Sequence, residues 1–160
     1  MEEFVIDKVI REQFDYFKQF CEFMAPEDYE SSFEPAATIE QVEEWEKEND
    51  TQLPHQYKSW LLLSSESYIL SGYLELFWPT IGTLEESNDI VIIGTVVGDG
   101  EEVGIRRNDG TVYSIFDGEV REYKDFDDFL THTLYFMQEM AAEDIGDDWE
   151  EQFNEMFGNI

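Results

Sequence analysis

The hydrophobic period of this chain changes once, close to Ser64, and that change dictates its class of fold. Before it, apolar residues recur at three and four: Ile6, Val9, Ile10, Phe14, Phe17, Phe20, Cys21 and Met24 form a one-sided helical stripe. Pro26 ends it, and 26–35 reads as an acidic loop. Thr38 then opens a helix with Gln41 in capping-box position, Ile39, Val42, Trp45 and the stem of Glu46 facing inward, and Asn49 expected as a left-handed C-cap. Pro54 at a first helical position starts a short helix over 55–63.

After Ser64 the period becomes two. An aromatic strand is expected over 73–78, limited by Pro79, and a β-branched strand over 90–97, suited to burial on both faces. Asn108-Asp109-Gly110 and Asp117-Gly118 then separate three short alternating runs, 103–107, 111–116 and 119–123, as hairpin turns do. Asp125 caps a helix with the stripe Phe126, Phe129, Leu130, Thr133, Leu134, Met137, Met140 and Ala141, broken at Gly146. A last helix around Trp149, Phe153, Met156 and Phe157 either docks back or serves as a contact element. The expected fold is one α+β domain over 1–160, a bent antiparallel meander at about 90–123 flanked by N- and C-terminal helices.

The surface of such a domain must be strongly acidic, because 160 residues carry a formal charge of −30. Acidic disordered segments lack aromatics, whereas this chain is 42% apolar and 16% aromatic, so it folds. Self-repulsion weakens a compact state, which points to a strongly basic partner as the reason for the charge; solubility is the bland alternative. Nucleic acid and anionic membranes would be repelled, so direct binding to either is not expected. No apolar run approaches the ~18 residues of a membrane span. Cys21 is the single cysteine and the opening Met1-Glu2-Glu3 is acidic where a signal peptide is basic, so a reducing cytoplasm is expected.

Chemistry is sparse. His55 and His132 lie in separate helices with neither a sequence-adjacent nucleophile nor metal-ligand spacing. Gly98-Asp99-Gly100 resembles a phosphate loop, but Glu101 and Glu102 would repel a phosphate, so a hairpin turn is the better reading. The acid runs at 125–128 and 144–148 lack the ligand alternation of an EF-hand and suit helix N-termini. No catalytic residue, metal or cofactor is expected. No Lys or Arg occurs between Lys18 and Lys47, between Lys58 and Arg106, or after Lys124, which leaves continuous acidic zones. The residues chosen for partner binding are Glu66, Trp78, Glu85, Glu86, Asp89, Asp99, Glu101 and Glu102. Tyr29, Phe33 and Trp149 are further aromatic candidates, each competing with a place in the core.

Thr38-Ile39-Glu40-Gln41-Val42-Glu43-Glu44-Trp45-Glu46 followed by Leu53-Pro54-His55-Gln56-Tyr57-Lys58-Ser59-Trp60-Leu61 resembles the opening of the SUKH superfamily, named partly for fungal cell-wall-assembly regulators. Val91-Ile92-Ile93-Gly94-Thr95, Gly110-Thr111-Val112-Tyr113 and Phe126-Asp127-Asp128-Phe129-Leu130 match its later landmarks, over about 37–136. The chain departs from the pattern at Ser64-Ser65-Glu66, where relatives often carry an Asn-Gly-Gly-like turn. The resemblance implies a single α+β domain without enzymatic activity. Many bacterial members are immunity proteins that neutralise polymorphic toxins, nucleases among them, and fungal members are regulatory interaction domains. The expected function is therefore an immunity protein occluding a basic toxin, monomeric by default; the alternative is a non-catalytic regulatory scaffold.

Overall fold

The N-terminal stripe folds as α1 (Lys8–Met24), capped by Asp7, whose carboxylate accepts from the Ile10 N–H at 3.1 Å. Its buried arc is Ile10, Phe14, Phe17, Phe20, Cys21, Phe23 and Met24. Val9 sits about 100° round the axis from Ile10, off that arc, and is exposed rather than inward. Beyond Met24 the chain tightens into a 3-10 turn over Ala25–Glu27, with Pro26 inside it, and reverses at Asp28 (φ 67°).

These elements come from a computed structural model that describes residues 4–84, 87–96, 101–107, 109–116 and 119–158, with backbone alone at 82–84, 87–89, 101 and 116. α2 (Ile39–Glu48) has the full capping box of Thr38 and Gln41. The reversal after it falls at Asp50 (φ 47°) and not at Asn49, whose side chain instead donates to the Trp45 carbonyl at 2.9 Å. α3 (His55–Leu61) starts one residue after Pro54. α4 (Phe126–Asp144) is capped by Asp125, which accepts from the Asp128 N–H at 2.8 Å, and α5 (Trp149–Phe157) closes the chain.

Among the described residues seven strands form one antiparallel sheet in sequence order: β1 (Ser32–Phe33), β2 (Ser67–Ile69), β3 (Leu74–Leu84), β4 (Ser87–Val96), β5 (Glu101–Arg106), β6 (Val112–Phe116) and β7 (Glu119–Tyr123). The chain is thus a mixed α+β domain built on an open meander. β3 runs through Pro79 instead of stopping there. The register shifts between Leu76 and Thr80, so the missing proline N–H is not needed in the ladder, and the Pro79 carbonyl accepts from Trp45 Nε1 at 2.9 Å.

The register assigns the faces. Val91 pairs with Ile105 and Ile105 with Val112, and these join α1, α3 and α4 in the main core. The opposite row runs Ile92, Gly104, Tyr113 and Glu122. On that outer face Ile90 and Tyr113 are buried outside the main core. Gly104 is required there, because a Cβ would lie 2.7 Å from Cε1 and Cζ of Tyr113. α5 docks back through its rings: Trp149 lies 5.8 Å from Phe20 and Phe153 5.4 Å from Phe23.

Candidate partner-binding surfaces

Of the residues chosen from sequence, Glu66 and Trp78 come together. They line one shallow groove of about 340 Å³ with Pro35, Ala36, Ala37 and Gln41. Three bonds tie the loop before α2 to the loop after α3, and a fourth, from Ser64 Oγ to Glu66, braces the latter loop internally. Glu34 N–H donates to the Glu66 carbonyl (2.9 Å), Ser65 N–H to Pro35 (3.0 Å), and Ser64 Oγ to Glu34 (2.9 Å) and Glu66 (2.6 Å). Trp78 is half-buried against the core and Glu66 is exposed, so the groove has an aromatic wall and an acidic rim.

The other predicted residues are not gathered there. Glu102 pairs with Thr95, which pairs with Glu75, so two carboxylates share one row of the outer face, two strands or roughly 10 Å apart. Asp89 lies in β4 and Glu101 pairs with Val96; for these two the backbone alone is described. Glu85, Glu86 and Asp99 lie outside the described residues.

The cation-free stretches of sequence meet at one end of the molecule. Tyr29, in the loop after α1, donates its hydroxyl to Asp144 at the end of α4, at 2.5 Å. That bond, reinforced by desolvation and by the nearby charges of Asp144, Glu143 and Glu27, pushes the Tyr29 phenol up to about 12. Acids from 27–30 and from 143–151 therefore face solvent side by side, with α5 held beneath them by Phe20 and Phe23. Phe33 packs edge-on to Phe14 at 5.4 Å, a core contact.

A smaller but more enclosed and more apolar cavity involves none of the predicted residues. A cavity of about 250 Å³ opens between α4 and the core face of the sheet, lined by Tyr73, Val96, Arg121, Tyr123, Phe129 and Phe136, with Ser114 and Thr133 as polar points. Ser114 Oγ and the Tyr123 hydroxyl lie 3.4 Å apart. Burial, with Glu139 and Tyr123 adding to it and Arg121 opposing, pushes the Tyr73 phenol up to about 12. The sequence signal was present but faint: Ser114 and Thr133 are polar residues at core positions of a strand and a helix.

Reactive chemistry does not converge on either site. His55 stacks on Phe4 at 4.5 Å, while His132 contacts Asp128 at 3.2 Å and the Tyr123 ring at 5.4 Å. Cys21 is buried, and desolvation pushes its thiol up to about 11. Among the described residues no group of three or more His, Cys, Asp or Glu could hold a metal ion, and no helix is long and apolar enough to cross a membrane. No protein-family model matches the chain, and no curated protein matches it.

Proposed function

We propose that this chain is a binding protein of the SUKH type that neutralises a basic toxin by occlusion, as an immunity protein does. The observation that carries the reading is the acidic end joined by Tyr29 and Asp144, where two stretches of sequence without a single Lys or Arg lie together. In a domain with a radius of gyration of roughly 15 Å, such charges act within one or two Debye lengths of about 8 Å and reinforce one another. A field of this kind steers a cationic protein into contact at up to ~10⁸–10⁹ M⁻¹s⁻¹ at low salt. Half-buried Trp78 beside Glu66 supplies an aromatic anchor of the kind that holds a complex once formed.

Inhibition of this type needs no chemistry from the inhibitor. The toxin's own basic cleft, shaped for a phosphate-bearing or otherwise anionic substrate, is filled by carboxylates and closed to its substrate. The test is to inspect the adjacent gene for a large secreted protein with a variable C-terminal domain and, where one is found, to co-express that domain with this protein. Rescue of growth together with a stoichiometric complex supports the reading. A complex that leaves the toxic activity intact would favour the regulatory-scaffold alternative, and no complex at low salt would overturn both.

A further inference from the structure

β7 pairs with β6 and with no other described strand, so its far edge presents backbone N–H and C=O groups that no strand takes up. An edge of this kind is a template for an added strand unless charge or cover protects it. Here Glu119, Arg121 and Glu122 are exposed, and Val120, 41% exposed, interrupts them. Beside the edge runs one side of α4. Asp128, His132, Tyr135 and Glu139 recur on it at spacings of three and four, and His132 touches both Tyr123 of β7 and Tyr135. Tyr135 and Phe136 are 59% and 42% exposed, two adjacent aromatic rings open to solvent. Phe136 also walls the cavity, which extends under α4 as far as Arg121 and Tyr123 on the edge strand. Edge, rings and cavity therefore occupy one place.

We propose that the channel between the edge of β7 and α4 receives an extended basic segment of the protein partner as an added strand, with one apolar side chain of that segment seated in the cavity. This rests on the reading of the chain as an inhibitor that binds a basic protein, and it names the surface. Charge selects the occupant. A second copy would bring another −30 to an edge that already carries Glu119 and Glu122, so self-pairing is opposed. A basic segment instead meets Glu119, Asp128 and Glu139 against Arg121 and Lys124, while Glu122 belongs to the outer face and is bridged to Arg106 at 2.7 Å. Size selects the anchor: an apolar cavity of about 150 Å³ holds a benzene, so 250 Å³ admits a Phe- or Leu-sized group. Main-chain bonds to the edge give affinity and the cavity gives specificity, the division of labour of strand addition.

The experiment pans a display library of random ten-residue peptides against the full-length protein at low salt, then follows amide exchange of the protein with each enriched peptide bound. Expected are peptides with a large apolar residue flanked by Lys or Arg, slowed exchange of β7 amides, and about tenfold weaker binding on replacing the apolar residue by Ser or on Phe136→Ser. Failure to enrich such peptides, protection confined to the acidic end around Tyr29 and Asp144, or indifference to both substitutions overturns the channel. Toxin neutralisation that survives Phe136→Ser removes the channel and leaves the inhibitory reading standing. Peptides seated on β7 by a protein that neutralises nothing do the reverse.

Discussion

Replacing Tyr113 by Phe should make this protein more stable. Tyr113 lies across Gly104 on the outer face with no exposed surface, and its hydroxyl has no hydrogen-bond partner among the described residues. Burying an unpaired hydroxyl costs on the order of 1–3 kcal/mol. Tyr113→Phe removes that one oxygen and keeps the ring under the Arg106 guanidinium, 5.9 Å from the ring centroid. The expected gain is ~1 kcal/mol, or about 2–4 °C in Tm for a chain of this size. The converse substitution, Gly104→Ala, drives a methyl into the ring and costs roughly 1–3 kcal/mol. In a Tyr113→Ala background most of that cost disappears, a coupling that a double-mutant cycle reads directly.

Alkaline titration gives a second signature of the same hydroxyl. Burial and the nearby Glu102 charge, opposed by Arg106, push the Tyr113 phenol from 10.0 up to about 12 in the fold. The stability held in the neutral phenol is therefore complete below about pH 10 and lost as pH rises toward 12. Tyr113→Phe should lose stability less steeply than wild type across that window. Urea unfolding followed by the fluorescence of buried Trp45 and Trp60 measures all of these. A Tyr113→Phe protein less stable by 1 kcal/mol or more would refute the reasoning, since the hydroxyl would then have a partner holding the face together.

Other perturbations have equally definite outcomes. Glu46 is buried, accepts the Leu53 N–H at 2.7 Å and pairs with Lys58 at 3.4 Å, so it pins the α2–α3 connection. Glu46→Ala strands a buried N–H and an ammonium and should cost roughly 2–4 kcal/mol in the same urea assay, with Glu46→Gln retaining part of the Leu53 bond. Cys21, with its thiol at about 11, should react with a disulfide reagent at pH 8 only as fast as the protein opens. Reversing Glu27, Glu143 and Asp144 to Lys should slow association with the toxin about tenfold at low salt while leaving dissociation within about twofold, by stopped-flow fluorescence.

The helices were legible because their signals are local. The stripe of α1, the Thr38–Gln41 box and the Asp125 cap each depend on residues within one or two turns. The β5–β6 hairpin was legible through Asp109-Gly110, where Gly110 takes φ 76° and Asp109 accepts the Thr111 N–H at 2.9 Å. β1 and β2 were not, since two or three residues cannot display a period and their pairing of Ser32 with Tyr68 is non-local. Pro79 misled for a related reason: only the shifted register and Trp45 make a proline acceptable inside β3. Glu66 and Trp78 were chosen for charge and aromaticity, and the tie between residues 34–35 and 64–66 brings them to one groove. The cavity under α4 was out of reach, because its lining comes from four elements and the loop before β3.

The most direct test of the account is the association of this protein with its cognate toxin across a range of ionic strengths, with toxin activity assayed in the same samples. The account predicts an association rate that falls steeply as salt rises, a dissociation rate that barely changes, and activity titrated away one to one. Association indifferent to salt, or a saturated complex whose toxin still works, would contradict it.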